Sequence, residues 1–372
     1  MSDVKQNAEA GPVVRPGILG IAPYVGGEAS IPGVNRVIKL ASNESALGPS
    51  PKAIEALKAH AASAHRYPDG ATGELRAALA AHFALDPARI VCGNGSDELI
   101  ALLVRAYAGP GDEVLYSRHG FLMYALSAMS VGATPVTAPE TDLTADVDAL
   151  LAAVTERTRL VFLANPNNPT GTFLPEREVR RLHAGLPPHV VLALDSAYAD
   201  YVEREDYEPG TALVREFDNV IMLRTFSKLY ALAGLRVGWA FCARGIADAL
   251  NRLRGPFNVG AAAQAAAVAA LRDVEHVRKS LEHNRAWRDW SASAFAALGL
   301  GVVASEGNFL LVHFPDAPDR DADAAFEFLK SRGIIARKMG AYHLAAYLRI
   351  TIGTEEEMRL TAAVLGDFLS AS

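Results

Sequence analysis

The sequence predicts an α/β protein made of two units. The larger is a mostly parallel sheet covered on both faces, and the smaller is an α+β domain. Three observations carry this. Short Val/Ile/Leu runs alternate with amphipathic helical stretches from about residue 72 to about residue 242. The runs are hydrophobic without a polar face, as strands buried on both sides must be. After about residue 256 the rhythm changes to long helices and short, separated strands.

The elements follow in order. The first 15 or so residues are polar and small and are expected to be frayed. RPGILGIAPYVGG then reads as an ordered arm lying on another part of the molecule. Pro49 and Pro51 mark the entry of the helix AIEALKAHAA. GELRAALAAHFAL is an amphipathic helix, Ile90–Cys92 a strand and SDELIALLVRAYA a helix. DEVLY (strand), FLMYALSAMSVGA (helix), TPVTAPE (strand) and DVDALLAAV (helix) continue the alternation. RLVFLANP, HVVLALDSAY, NVIMLRTFS and LRVGWAFC are strands, the first two separated by the helix EREVRRLHAGL. Beyond them come an alanine-rich helix from about Gly260, the helical stretch VEHVRKSLEHNRAWRDWSASAFAALG and LGVVASEGNFLLVHF. The helix DAAFEFLKSRG, the strands IIARK and YLRITIG, and a final helix TEEEMRLTAAVLGDFL complete the chain. We expect an arm over 1–48 that joins the small domain, a large domain over 49–257 and a small domain over 258–372.

Composition sets the outer bounds. The chain has 372 residues, half of them hydrophobic and 21% charged, as a folded protein with large cores requires. Its 36 basic and 42 acidic residues give a net charge of −6, so the electrostatic footprint of a general nucleic-acid binder is missing. No apolar run reaches the 18 residues of a membrane span, and MSDVKQNAEAGPVV lacks a signal-peptide pattern. The two cysteines, Cys92 and Cys242, lie in apolar stretches and read as buried thiols in a reducing compartment. A soluble cytoplasmic protein is the expectation.

Ligands of a parallel α/β sheet bind beyond the carboxyl ends of its strands. Four strand ends carry reactive groups. Gly93-Asn94-Gly95-Ser96-Asp97-Glu98 joins a strand to a helix, where free N–H groups could hold a phosphate. A plain Ser/Asp helix cap would look similar. Asn165-Pro166-Asn167-Asn168-Pro169-Thr170-Gly171 is a rigid turn that traps Asn168 with an amide able to donate. Asp195, with Tyr198 three residues on, is a carboxylate at the end of a buried strand, which needs a cation, a metal or a capping role. Thr225-Phe226-Ser227-Lys228 ends another strand, with Arg236 eight residues beyond Lys228. That lysine is either solvated or a Schiff-base nucleophile. Jointly, an anion cradle, an amide donor, an acid and a lysine are what pyridoxal phosphate requires.

These motifs resemble the fold-type-I pyridoxal-phosphate aminotransferases, and within them the histidinol-phosphate branch. The resemblance spans about residues 15–370 and rests on RPGILGIAPYVGG, LASNESALGPSP, RYPDG, GNGSDELI, NPNNPTG, DSAY, TFSKLYALAGLRVGW, RGPFNV and LRITIG. It implies an aspartate-aminotransferase-like large domain with a mostly parallel seven-stranded sheet. It implies that Lys228 forms the Schiff base with the cofactor, that Asp195 pairs with the ring nitrogen, and that Asn168 and Tyr198 hydrogen-bond the phenolic oxygen. Ser96, Asp97, Thr225, Ser227 and Arg236 would surround the phosphate, and Phe121 would stack on the ring. Tyr67 would reach the phosphate of a neighbouring subunit, which makes the expected assembly a homodimer. Arg349, with Arg337 and Tyr24, would bind the anionic end of the substrate.

Two departures stand out. Ser196 replaces a commoner acidic residue in DSAY, and SRHGF replaces a proline-bearing segment, placing His119 near the expected ring. His119 could tune substrate preference or simply pack in its loop. The implied activity is ping-pong amino transfer between histidinol phosphate and 2-oxoglutarate, with glutamate as the other amine. An aromatic amino-acid aminotransferase and a pyridoxal-phosphate decarboxylase are alternatives on such a scaffold. A ligand-sensing regulator would need a DNA-binding unit, and the arm has neither a helix-turn-helix pattern nor a basic patch.

Overall fold

The computed structural model describes residues 12–23, 26–34 and 36–370. Seven strands form the large sheet: β1 (Ile90–Gly93), β2 (Glu113–Ser117), β3 (Thr134–Ala138), β4 (Thr158–Ala164), β5 (Val191–Asp195), β6 (Val220–Thr225) and β7 (Gly238–Cys242). Their spatial order is β1-β7-β6-β5-β4-β2-β3. β7 runs antiparallel to both its neighbours, and the remaining pairs are parallel. The carboxyl ends of β1 to β6 therefore share one edge of the sheet.

Alternation along each strand feeds two cores. Val161 and Leu163 of β4 and Val220 and Met222 of β6 face one side. Leu160 and Phe162, and Ile221 and Leu223, face the other. The first face packs on α1 (Pro51–Ala61), α2 (Gly73–Phe83), and later α5 (Val147–Ala152), α6 (Glu176–Gly185) and α7 (Thr211–Glu216), among others. The second face packs on α3 (Ser96–Tyr107), α4 (Met123–Val131) and α8 (Arg244–Leu253). Ser50 starts α1 by accepting the N–H groups of Lys52 and Ala53, with Pro51 in the first turn, where no N–H is needed.

The alanine-rich α9 (Ala261–Leu271) lies beyond the expected boundary at 257/258, in the stretch assigned to the small domain, yet it packs with the large one. Its buried Ala263, Ala266, Ala267 and Ala270 join the same core as α1, α2 and the sheet. The small methyl face lets α9 lie close against α1, which a bulkier helix could not do. The change of rhythm at residue 256 therefore marks the end of the large sheet's strands and not the edge of its core.

α10 (Val274–Ala297) bridges the two units. Val277 and Leu281 pack on the large core, while Trp287, Trp290 and Phe295 pack on the small one. The small unit is an antiparallel sheet of β8 (Gly301–Val303), β9 (Phe309–His313), β10 (Arg337–Lys338) and β11 (Tyr347–Thr351), in the order β8-β9-β11-β10. It is backed by α11 (Ala322–Ser331) and α12 (Glu355–Ser370). Ile38 and Lys39 of the arm pair in parallel with Ile334 and Ile335, so this stretch of the arm is part of the small unit. Cys92 and Cys242 are free and buried, and burial pushes their thiols up to about 11 and about 12. Among the described residues, no helix is long and apolar enough to cross a membrane.

Candidate active site

A cavity of about 320 Å³ opens beyond the shared strand edge, within the range of roughly 300–1,000 Å³ typical of small-molecule sites. Its floor comes from the loops after β1, β2, β4, β5 and β6. The arm closes it through Gly26, Gly27 and Ala41–Glu44, and the small unit through Arg337, Tyr342 and Arg349. Ser96, Asp97, Phe121, Asn168, Asp195, Tyr198, Thr225, Ser227, Lys228 and Arg236 all line it.

One end is built for an anion. α3 begins at Gly95 with no side chain capping its first N–H groups, and Ser96 and Asp97 form its first turn. Arg236 reaches over this turn from a left-handed backbone at φ 53°. Its guanidinium donates to Asp97 Oδ2 at 2.8 Å, to the Ala233 carbonyl at 3.2 Å and to Ser227 Oγ at 3.4 Å. Two glycines make this approach possible. A Cβ on Gly95, at φ 80°, would collide with the Arg236 guanidinium, and one on Gly238 with the Ser96 backbone N–H. Thr225 Oγ1 accepts the Ser227 N–H at 3.1 Å, which fixes the turn that leads into Lys228.

The other end holds a buried acid. Asp195 is 6% exposed at the last position of β5. Tyr124 of α4 donates its hydroxyl to Asp195 Oδ2 at 2.7 Å, whereas Oδ1 is buried with no hydrogen-bond partner. Burial pushes the carboxyl up to about 6 against the opposing pull of Tyr124. Burial, with Asp195 beside it, also drives the Tyr124 phenol well up, so it remains a donor. Tyr124 was not among the residues expected here. It sits in the apolar helix FLMY, and its partner lies 71 residues away.

Lys228 and Tyr198 face each other, with Nζ 5.5 Å from the tyrosine ring centroid. Asn43, a second residue not anticipated, donates Nδ2 to Tyr198 Oη at 2.8 Å. Asn168 accepts from Arg349 Nη1 through Oδ1. Phe121 lines the cavity and meets Tyr124 edge-on, ring centroids 5.9 Å apart.

Arg349 and Arg337 stand directly opposite each other on the antiparallel pair β11 and β10. Like charges placed so repel one another, which an anion between or beside them would relieve. Arg349 is 6% exposed, lies over the Phe309 ring and donates to the Ala41 carbonyl at 2.9 Å. His119 is buried and is not part of the cavity wall. Its Nδ1 lies 2.6 Å from the carbonyl of the cavity-lining Tyr342, and its own carbonyl accepts from Asn167 Nδ2 at 3.3 Å. Tyr67 is 83% exposed, stacks on Phe257 and lies away from this cavity. Tyr24 falls outside the described residues.

Comparison with known proteins agrees with this layout. Residues 35–365 match the family model described as aminotransferase class I and II. A histidinol-phosphate aminotransferase of Paramagnetospirillum magneticum is 59% identical over 360 residues, 97% of this chain and 99% of that protein. One from Rhodospirillum centenum is equally similar, at 59% over 360 residues. The crystal structure of histidinol-phosphate aminotransferase from Sinorhizobium meliloti in complex with pyridoxal-5'-phosphate superposes with a TM-score of 0.89 at 32% identity, covering 98% of this chain and 99% of that one. Aspartate aminotransferase from Thermus thermophilus shares the fold, with a TM-score of 0.79 at 24% identity over 89% of this chain and 91% of that one. With strand order, strand-end residues and similarity over nearly the whole length in accord, the chain belongs to the class I and II aminotransferases.

Proposed function

We propose that the chain is a pyridoxal-phosphate-dependent histidinol-phosphate aminotransferase that uses 2-oxoglutarate as the amino acceptor. The observation that carries the reading is the opposed pair Arg337 and Arg349 lining the same cavity as Lys228 and the anion cradle. The substrate carries a phosphate dianion, and glutamate carries carboxylates. A planar guanidinium fork pairs with either, and two arginines suit a dianion.

The residues fit the cofactor. Asp195 Oδ1 is a buried acceptor without a partner, suited to a ring N–H. The uncapped turn of α3, Arg236 and Ser227 suit a phosphate. When bound, pyridoxal phosphate supplies an electrophilic aldehyde and a ring that accepts electrons from the substrate α-carbon. Lys228 Nζ would be the amine that holds the cofactor's aldehyde, and it would serve as the base that takes and returns the substrate α-proton. Asp195 would hold a positive charge at the ring nitrogen, because in this buried position its carboxylate is stabilised best by a cation. Tyr198 and Asn168 would hold the ring's oxygen, Phe121 would pack against the ring, and Arg349 and Arg337 would orient the substrate's anion.

The protein acts as a homodimer, with the exposed Tyr67 completing the phosphate site of its partner. Its two buried thiols suit a reducing cytoplasm. The experiment is a half-reaction. Stoichiometric loss of the holoenzyme's visible absorbance on adding histidinol phosphate, and its recovery with 2-oxoglutarate, is expected. No change with histidinol phosphate would refute the reading. Equilibrium sedimentation tests the dimer, and Tyr67→Phe should weaken cofactor retention only if the tyrosine crosses between subunits.

A further inference from the structure

A chain of hydrogen bonds runs from the strand of Arg349 to Tyr198, and Asn43 is its centre. Asn43 is 1% exposed and held in the left-handed region at φ 53°. Its backbone N–H donates to Thr351 Oγ1 at 2.9 Å, and the Thr351 hydroxyl donates back to Asn43 Oδ1 at 3.2 Å. Asn308 Nδ2 donates to the Asn43 carbonyl at 3.0 Å. A threonine hydroxyl has one proton, and here it goes to Oδ1. The carboxamide is thereby turned with its NH₂ toward Tyr198, where it donates at 2.8 Å. Tyr198 Oη accepts at this contact, so its own proton is left for another acceptor at the cavity that Tyr198 lines.

The far end of this chain lies on the strand of Arg349. Thr351 is two residues from Arg349 on β11, so both side chains leave the same face of the sheet. Arg349 also holds Asn168 and the carbonyl of Ala41, two residues before Asn43. Thus Tyr198 and Asn168 are both tied to one strand of the small unit, Asn168 directly and Tyr198 through Asn43.

We propose that Asn43 is a positioning residue that makes Tyr198 a one-way proton donor toward the phenolic oxygen of the cofactor. The proposal rests on the reading that the cavity holds pyridoxal phosphate. A donor held against that oxygen stabilises its ionised form and lowers the pH at which the bound chromophore loses its proton. Misdirecting the tyrosine proton raises that pH.

The experiment is a pH titration of the visible absorbance of the holoenzyme. Asn43→Asp exchanges the donor for an acceptor that competes for the tyrosine proton, and the midpoint should rise by about one pH unit or more. Asn43→Leu removes the donor without adding a competitor, so a smaller rise is expected, because chained hydrogen bonds polarise one another. A wild-type midpoint in folded, cofactor-loaded Asn43→Asp would overturn the proposal. Should that variant not fold, wild-type midpoints in both Asn43→Leu and Thr351→Val would overturn it equally. Failure of the underlying cofactor reading looks different. The wild-type protein would then show no titrating visible band, and Lys228→Ala would leave the spectrum unchanged.

Discussion

Replacing Arg349 by lysine keeps the charge and removes the fork. In the structure one terminal nitrogen of Arg349 donates to Asn168 and the other to the Ala41 carbonyl at 2.9 Å. A lysine ammonium at the end of a shorter, unbranched stem cannot hold both partners and also present two parallel N–H groups to a substrate anion. One charge-assisted hydrogen bond is worth roughly 1.5–3 kcal/mol. At 1.4 kcal/mol per factor of ten, Arg349→Lys should lower kcat/KM about 10- to 150-fold. If one guanidinium serves both anions in turn, the loss should be seen with both histidinol phosphate and 2-oxoglutarate. Steady-state kinetics varying each substrate separately gives the two ratios. Near-normal values for both would refute the role of Arg349. A loss confined to one would show that the two substrates use different cations.

Three further outcomes are expected. Lys228→Ala should retain the cofactor without a Schiff base and barely turn over, and robust turnover would overturn the lysine assignment. Asp195 is held at about 6 by burial against an ordinary 3.8. Between these values the native cofactor-free protein binds more protons than the unfolded chain, so its stability falls as pH rises through them. At 1.36 kcal/mol per pH unit, the loss is of the order of 3 kcal/mol. Asp195→Asn should therefore stabilise the cofactor-free protein above pH 6 while abolishing activity; denaturant melts that show no gain over wild type there would contradict this. Asp200→Ala strips the carboxylate from Arg224, which is buried over Phe83 and Trp239, and should cost roughly 3–5 kcal/mol. A loss below about 1 kcal/mol would show that the ion pair is not structural.

What could be read from the sequence follows from how each feature is encoded. Strands such as RLVFLA are continuous apolar runs because both faces are buried, so all seven strands of the large sheet are visible in order. The groups at their carboxyl ends sit in local motifs, where glycine, proline and a reactive residue occur within a few positions. Asn168, Asp195 and Lys228 are examples, and the cavity gathers them with Arg236. Residues whose roles depend on distant partners are silent. Tyr124 looks like any aromatic of an apolar helix until Asp195 is placed beside it. Asn43 stands in LASNESALG with nothing to mark its left-handed backbone or its contact with Tyr198, 155 residues away. The domain edge is hidden in the sequence for a related reason. An alanine face records that something packs closely but not which unit it packs against, and α9 packs on α1. His119 is likewise decided by packing, which turns it toward the Tyr342 carbonyl.

The central claim concerns substrate, and it is tested by comparing specificity constants of the purified holoenzyme. Histidinol phosphate, phenylalanine and tyrosine would each be offered as amino donor with 2-oxoglutarate as acceptor. The opposed arginines facing the cavity predict a strong preference for the phosphate ester. Comparable or better use of the aromatic amino acids would contradict the assignment and mark an aromatic or broad-specificity aminotransferase.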